Sequence, residues 1–398
     1  MKINDFLDID NLKNINKPWT GFWLLLVLIG CYGALIAMFK GHHYAYNVTD
    51  KVPLGLLLST YVFFVVTSTG LCLVSAIGHV FGVKKMMVFA KRSIFMAIVC
   101  MLMGFATIAI ELEHPFRLFT WGMISPNFES PILWMGILYS FYLVFMVLEF
   151  IFLTIENHKK AHIFGLLGVI SAVAAHSNLG AVFGYQLARP FWHGPLMPVY
   201  FIMSAMLSGA GLIFIIYALP KVLKNEKFTK EEKEGMEVLS KIFLLLLLIY
   251  IFFEAWKILV GTYGDPPHEF EAIMAFIKGP YSTNFWLFEI ILGLIIPVVI
   301  LLTKRFRTVS GYLLAGLSNL VGIFIIRYDL VVGGEIVPLR LKEIPVTIYR
   351  FAEQHPYNPY TPSFYEVLIV IGVIALSILI YTVADYVLNF KMTNNHGG

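Results

Sequence analysis

AHSNLGAVFGYQLARPFWHGPLMP, from Ala175 to Pro198, sets a histidine, an arginine and a series of aromatic and proline residues where an apolar helix leaves a membrane. An ionisable side chain in hydrocarbon costs about 3 kcal/mol or more unless it is paired or hydrated, so each one within a span is read first as functional. The same stretch therefore poses both the question of fold and the question of function.

The composition around it is that of a membrane protein. Hydrophobic residues make up 59% of the 398 residues and charged residues 14%, with a mean hydropathy of +0.78, which excludes an ordinary water-soluble domain. About 20 apolar residues cross a bilayer as a helix. Runs of that kind recur at 20–39, 54–81, 93–110, 131–154, 162–186, 196–219, 238–260, 284–303, 308–326 and 364–390. The fold class expected is all-α and polytopic, with about ten transmembrane helices in one integral membrane domain covering 1–398. The opening MKINDFLDIDNLKNINKPW is mixed in charge and runs into a full-length span without a small-residue cleavage site, so no cleaved signal peptide is expected.

Basic residues set the orientation. Lys84, Lys85, Lys91 and Arg92, then Lys159 and Lys160, then Lys221, Lys224, Lys227, Lys230 and Lys233, then Lys304, Arg305 and Arg307 fall in alternate loops. The longer opposite loops hold only Lys40, Lys51, Arg117, Arg189, Lys278, Arg327, Arg340, Lys342 and Arg350. This bias places both termini in the cytoplasm and accounts for the net charge of +4 without any nucleic-acid partner. Cys31, Cys72 and Cys100 are each isolated within a span, a pattern without the spacing of an iron–sulfur, zinc or covalent haem site. The outer loops 111–131, 189–198, 261–284 and 327–363 are rich in Pro, Gly, Trp and Tyr, the character of shaped surfaces on which a partner docks.

Depth sorts the ionisable residues. Near the outer ends lie Glu111, His114, His176, Arg189, Glu254, Lys257 and Glu289. Glu254 and Lys257, three apart on one helix face, are expected to form a structural ion pair. Near the inner ends lie His79, Glu149, His162 and Asp385, with Thr67, Ser68 and Thr69 at mid-depth. His79, Thr67, Ser68, Glu149 and Asp385 form a candidate proton pathway, against the plainer reading of hydroxyls bonded within their own helices. His162 and His176, fourteen positions apart, approach the spacing that stacks two haems in a bundle, but no second helix repeats the pair. The glycines of TSTG and LSGAG read as helix-packing contacts.

HSNLG with RPFWHGPLMP, ELEHPFR at 111–117, SPILWMG at 130–136 and RYDLVVGGEIVPL at 327–339 together resemble the NrfD-like, or polysulfide-reductase-type, family of membrane subunits. The likeness runs from about Leu54 to Leu388 and is strongest with the ten-helix branch found in hydrogenase-2-type, dissimilatory sulfite reduction-associated and high-molecular-weight cytochrome complexes. The resemblance implies two four-helix bundles, spans two to five and six to nine, flanked by the first and last helices. It also implies a quinone such as menaquinone bound as substrate, no haem, metal or cluster in this chain, and a docked periplasmic ferredoxin-like iron–sulfur subunit. A multihaem c-type cytochrome, or a molybdopterin or hydrogenase catalytic subunit, would lie beyond it, and the location would be the bacterial or archaeal inner membrane. Glu113, His114, Asn178 and Glu335 depart from the usual family pattern.

A quinol gives up two electrons and two protons, so its site needs partners for both ring oxygens and a base. His176 suits one oxygen and Glu111 the base. His114 and Arg189 would orient the head group and Tyr185, Trp121 and Trp192 would wall the ring. Two competing classes are a secondary transporter, whose charges should crowd the midplane rather than the ends, and a purely structural anchor for a periplasmic redox complex.

Overall fold

Backbone N–H and C=O groups in hydrocarbon have no water to bond, so each long apolar run closes its hydrogen bonds as a helix. The computed structural model describes residues 11, 13, 15–264, 268–338, 357–388 and 390. Among them are ten helices long and apolar enough to cross a membrane: α1 (Lys17–Lys40), α2 (Leu56–His79), α3 (Ala90–Glu111), α4 (Pro131–Thr154), α5 (His158–Gly184), α6 (Met197–Leu223), α7 (Lys230–Tyr263), α8 (Asn284–Leu302), α9 (Val309–Gly333) and α10 (Phe364–Val387). The tally of outer-loop charges extends to Arg340, Lys342 and Arg350, which lie outside the described residues.

Local chemistry fixes the helix ends. Thr229 with Glu232 and Ser363 with Glu366 form reciprocal capping boxes that satisfy the first free amides of α7 and α10. Pro131 and Pro198 stand in the first turns of α4 and α6, where a missing N–H costs nothing. Short helices Pro115–Ile124 and Glu269–Ile277 shape two of the loops between spans.

Helices α2, α3, α4 and α5 pack as one four-helix bundle and α6, α7, α8 and α9 as another, joined where α2 lies against α6 and α9. Helices α1 and α10 pair with each other and reach the core through α3. Helix α2 is the hub, with 89% of its most apolar stretch buried against 17% for α1. Between apolar helices in lipid, attraction comes from close backbone approach, which favours small residues. Gly70 of α2 lies against the backbone of Ala205 and Gly209 on α6, and Gly30 of α1 meets Gly372 of α10. A Cβ at either place would enter the facing backbone.

Two boundaries differ markedly from the sequence reading. The seventh span, expected from residue 238, begins as α7 at Lys230. The ninth span, expected to end at residue 326, continues as α9 to Gly333, so Arg327 and Asp329 are helical and buried, not loop residues. Their charges end the apolar run in sequence, but the helix is surrounded by protein there and keeps its ladder.

The last turn of α9 and the chain after it are clasped from three sides. Arg189 donates to the carbonyls of Gly334 and Glu335 at 3.3 Å each and of Val337 at 3.2 Å, while Trp192 Nε1 donates to the Leu330 carbonyl at 2.6 Å. The Leu54 amide donates to Glu335 Oε2 at 3.0 Å, and Asn358 Nδ2 to the Glu335 carbonyl at 3.0 Å.

Two outcomes follow from this packing. Gly70→Leu forces α2 away from α6, and the detergent-solubilised protein melts several degrees lower than wild type, whereas Gly21→Leu, with open space around it, melts unchanged. Burial pushes the Glu335 carboxyl from 4.5 up to about 7. The folded clasp therefore holds more protons than the unfolded chain across that window, and its stability falls as pH rises through it. Amide exchange at 334–337, corrected for intrinsic rates, is slower at about pH 5 than at about pH 8. Glu335→Gln removes the difference; an equal difference in that variant would show that Glu335 is not its source.

Candidate functional site

Among the buried side chains where the two bundles meet, one set combines a histidine with an arginine. His176, on α5, has no exposed surface. Its Nδ1 lies 3.4 Å from the Tyr139 hydroxyl of α4, and its ring packs at 5.8 Å from that of Phe201. Arg327, from α9, is also fully buried. Its guanidinium lies 4.6 Å from the Phe201 ring and 5.9 Å from the Tyr200 ring, and it donates to Ser204 Oγ. His176 Nε2, Arg327 Nε and Arg327 Nη1 have no hydrogen-bond partner. A buried cation left partly unpaired costs several kcal/mol, which gives the cluster a demand for an oxygen acceptor.

Tyr200 links this core to a cavity in the second bundle. The cavity has an empty volume of about 430 Å³, partly open to the surface, between α7, α8, α9 and the short helix Glu269–Ile277. Phe191, Phe276 and Ile326 supply apolar wall, and Glu254, Lys257, Glu289 and Asp329 supply polar groups. The Tyr200 and Tyr250 hydroxyls are hydrogen-bonded behind it. All three carboxyl side chains are buried, and Asn284 Nδ2 donates to Asp329 Oδ1 at 2.8 Å.

The expected Glu254–Lys257 ion pair is not formed. The Lys257 ammonium lies over the rings of Phe191 at 4.1 Å and Tyr200 at 5.4 Å, and Glu254 Oε2 is without a hydrogen-bond partner. Spacing put the two residues on one helix face, but the long lysine stem carries its charge onto an aromatic surface.

Other expected residues fall into separate places. Glu111, at the end of α3, lies within electrostatic reach of Glu366 and Tyr46, among surroundings different from those of His176, and its Oε2 has no hydrogen-bond partner. Glu366 is held by the Asn47 amide at 3.1 Å and the Tyr360 hydroxyl at 2.6 Å. His114 and Tyr185 are exposed, Trp192 and Arg189 belong to the clasp, and the Trp121 side chain lies outside the described residues. The spacing argument for stacked haems paired His162 with His176; His162 is exposed and its Nδ1 lies 3.3 Å from the His79 carbonyl.

Toward the basic-loop face, His79 and Glu149 are paired inside the first bundle, where Gly165 leaves room for both. Ser68 donates to the Ala97 carbonyl at 2.7 Å and lies 3.1 Å from the Tyr142 hydroxyl. Thr67 Oγ1 is buried without a partner. Asp385 stands apart from this group, bound to Arg92 at 2.8 Å. Among the described residues no group of three His, Cys, Asp or Glu side chains could hold a metal ion.

Sequence reasoning missed Arg327, Asp329, Tyr139, Tyr142 and Tyr200. The first two carried a signal, charges just past an apolar run, that was assigned to a loop. The tyrosines gave none, because a tyrosine near a helix end reads first as an interfacial anchor.

Comparison with known proteins agrees with this architecture. The family model "Polysulphide reductase, NrfD" matches residues 45–338. The chain is 29% identical over 387 residues to the Hdr-like menaquinol oxidoreductase integral membrane subunit of Archaeoglobus fulgidus, covering 93% of this chain and 94% of that protein. It is 25% identical over 401 residues to a selenate reductase subunit of Mesobacillus selenatarsenatis, covering 90% of each. With the protein NrfD homolog of Haemophilus influenzae it shares 21% identity over 272 residues, 62% of this chain and 82% of that protein. Ten apolar helices and a family match spanning most of the chain make it a multi-pass membrane subunit of the NrfD, or polysulphide reductase, family of respiratory oxidoreductases.

Proposed function

We propose that this chain exchanges electrons between the membrane quinone pool, menaquinone being the representative substrate, and an iron–sulfur subunit docked on the outer face. A multihaem cytochrome or a molybdopterin or hydrogenase catalytic subunit then completes the complex. The carrying observation is the cavity beside Tyr200: its apolar wall and buried carboxyls lie across that tyrosine ring from the buried, partly unpaired Arg327, and the buried His176 lies farther in, against Phe201. A quinone head group is a flat apolar ring with two opposed oxygens, and it suits such a place better than a wholly polar solute does. The menaquinol oxidoreductase subunit among the relatives supports the same substrate class.

In this reading Arg327 supplies positive charge toward a ring oxygen, and His176, oriented by Tyr139, donates to it or accepts from it. Glu111 is a proton acceptor nearer the loop face, where Arg189 and Trp192 hold the surface that meets the partner. His79 with Glu149, and Ser68 with Tyr142, form a polar file toward the basic-loop face along which protons can pass, with Thr67 beside it. Asp385, bound to Arg92, serves that face instead as a lock between α10 and α3.

His176→Ala lowers quinol-linked turnover of the purified complex about 100-fold or more, and Glu111→Gln lowers it similarly, while gel filtration shows both complexes assembled. Wild-type turnover in both variants would refute this placement of the chemistry.

A further inference from the structure

Helix α8 is π-helical over Asn284–Ile295. Asn284 and Glu289 stand five residues apart; at about 100° per residue an α-helix would point them about 140° away from each other. The i→i+5 winding of a π-helix brings residues five apart onto one face, and both side chains accordingly meet Asp329 of α9. Asn284 donates to Asp329 Oδ1 at 2.8 Å, and the Glu289 and Asp329 carboxyls lie within hydrogen-bonding reach of each other. Asp329 Oδ2 has no donor.

Both carboxyl side chains line the cavity, with Glu289 6% and Asp329 3% exposed. Two carboxyls facing each other in an apolar interior share one proton rather than both ionise. The other ionisable groups around them are Glu254 and Lys257 on α7, Arg327 and Tyr328 on α9, the Tyr200–Tyr250 pair and Tyr281. Asn284, the one amide in this set, can only fix the direction of Asp329.

We propose that Glu289 and Asp329 form a paired-carboxyl proton acceptor for the hydroxyl groups of a hydroquinone in this cavity, with Asn284 as the positioning residue; this rests on the quinone reading above. In the oxidising direction both O–H bonds of the hydroquinone break and its two C–O bonds become C=O. Two electrons leave, one at a time, to the iron–sulfur cluster of the partner subunit. One proton joins the one already shared by Glu289 and Asp329, leaving both neutral, and the other goes to Glu111, the acceptor nearer the loop face. Reduction of the quinone runs the same steps in reverse.

The test is steady-state oxidation of a short-chain naphthohydroquinone by the purified complex. Glu289→Gln and Asp329→Asn each lower kcat about 100-fold or more with KM within about 3-fold of wild type, and raise the solvent deuterium isotope effect as proton removal becomes limiting. Asn284→Ala gives a smaller fall. Infrared difference spectra of the wild-type complex, which need no variant, show a carboxyl C=O band on substrate oxidation that shifts in deuterium oxide. Wild-type kcat in both acid variants, or spectra without that band, removes the pair from the chemistry and leaves the quinone reading standing. A wild-type complex that neither oxidises the naphthohydroquinone nor binds the naphthoquinone overturns the quinone reading itself.

Discussion

Arg327 carries a full positive charge into the place where the two bundles meet, and the arrangement around it answers to that charge. Aromatic faces of Tyr200 and Phe201 lie against the guanidinium, Ser204 accepts from it, and Glu289 stands on the cavity side. Each contact recovers part of the cost of desolvating the ion, and none removes it fully, since two guanidinium nitrogens stay without acceptors. Replacing a buried ion by apolar packing is often neutral or stabilising. A fold that keeps an incompletely paired arginine at its centre is therefore better explained by a ligand oxygen than by stability.

The same principle sorts the rest of the polar interior by how completely it is satisfied. Glu366 accepts from a tyrosine hydroxyl and two backbone amides, so it reads as a structural knot tying α10 to the loop before α2. Arg189 is spent on three carbonyls. His176, Asp329 and Glu254 each keep a ring nitrogen or carboxyl oxygen without a partner, and these gather around one core and its adjoining cavity. Around that core, incomplete satisfaction marks where a ligand can bind; unpartnered polar atoms also lie elsewhere, as on Trp23, Asn319 and the Arg92-bound Asp385.

Fold was legible because hydrocarbon imposes one answer on each apolar run, and the ten spans follow from length alone. The bundles were legible only through resemblance, since nothing in the spacing of α2 to α5 says which helices touch. The site was partly legible: His176 stood out as a charge-capable group in a span, while Arg327 sat one residue past the end of an apolar run and was lost to the loop. Hydropathy reports the average partner of a segment, and it fails where a helix end is surrounded by protein instead of lipid. The Glu254–Lys257 pairing failed for a related reason, because spacing along one helix takes no account of Phe191 arriving from the loop after α5.

Least legible was the winding of α8. Its sequence, NFWLFEIILGLI, contains only good helix-compatible residues and a glycine, so no local preference selects the rare π form over the α form. The selection comes from across the interface. At one end Asn284 is held by Asp329; at the other the Gly293 carbonyl accepts from Asn319 Nδ2 at 3.1 Å, while Gly293 and Gly322 bring the two backbones together. Both anchors belong to α9, the helix that also carries Arg327. An α-wound α8 would turn either Asn284 or Glu289 away from Asp329, so the contact that fixes the winding is also the one that places two carboxyls side by side in the cavity wall.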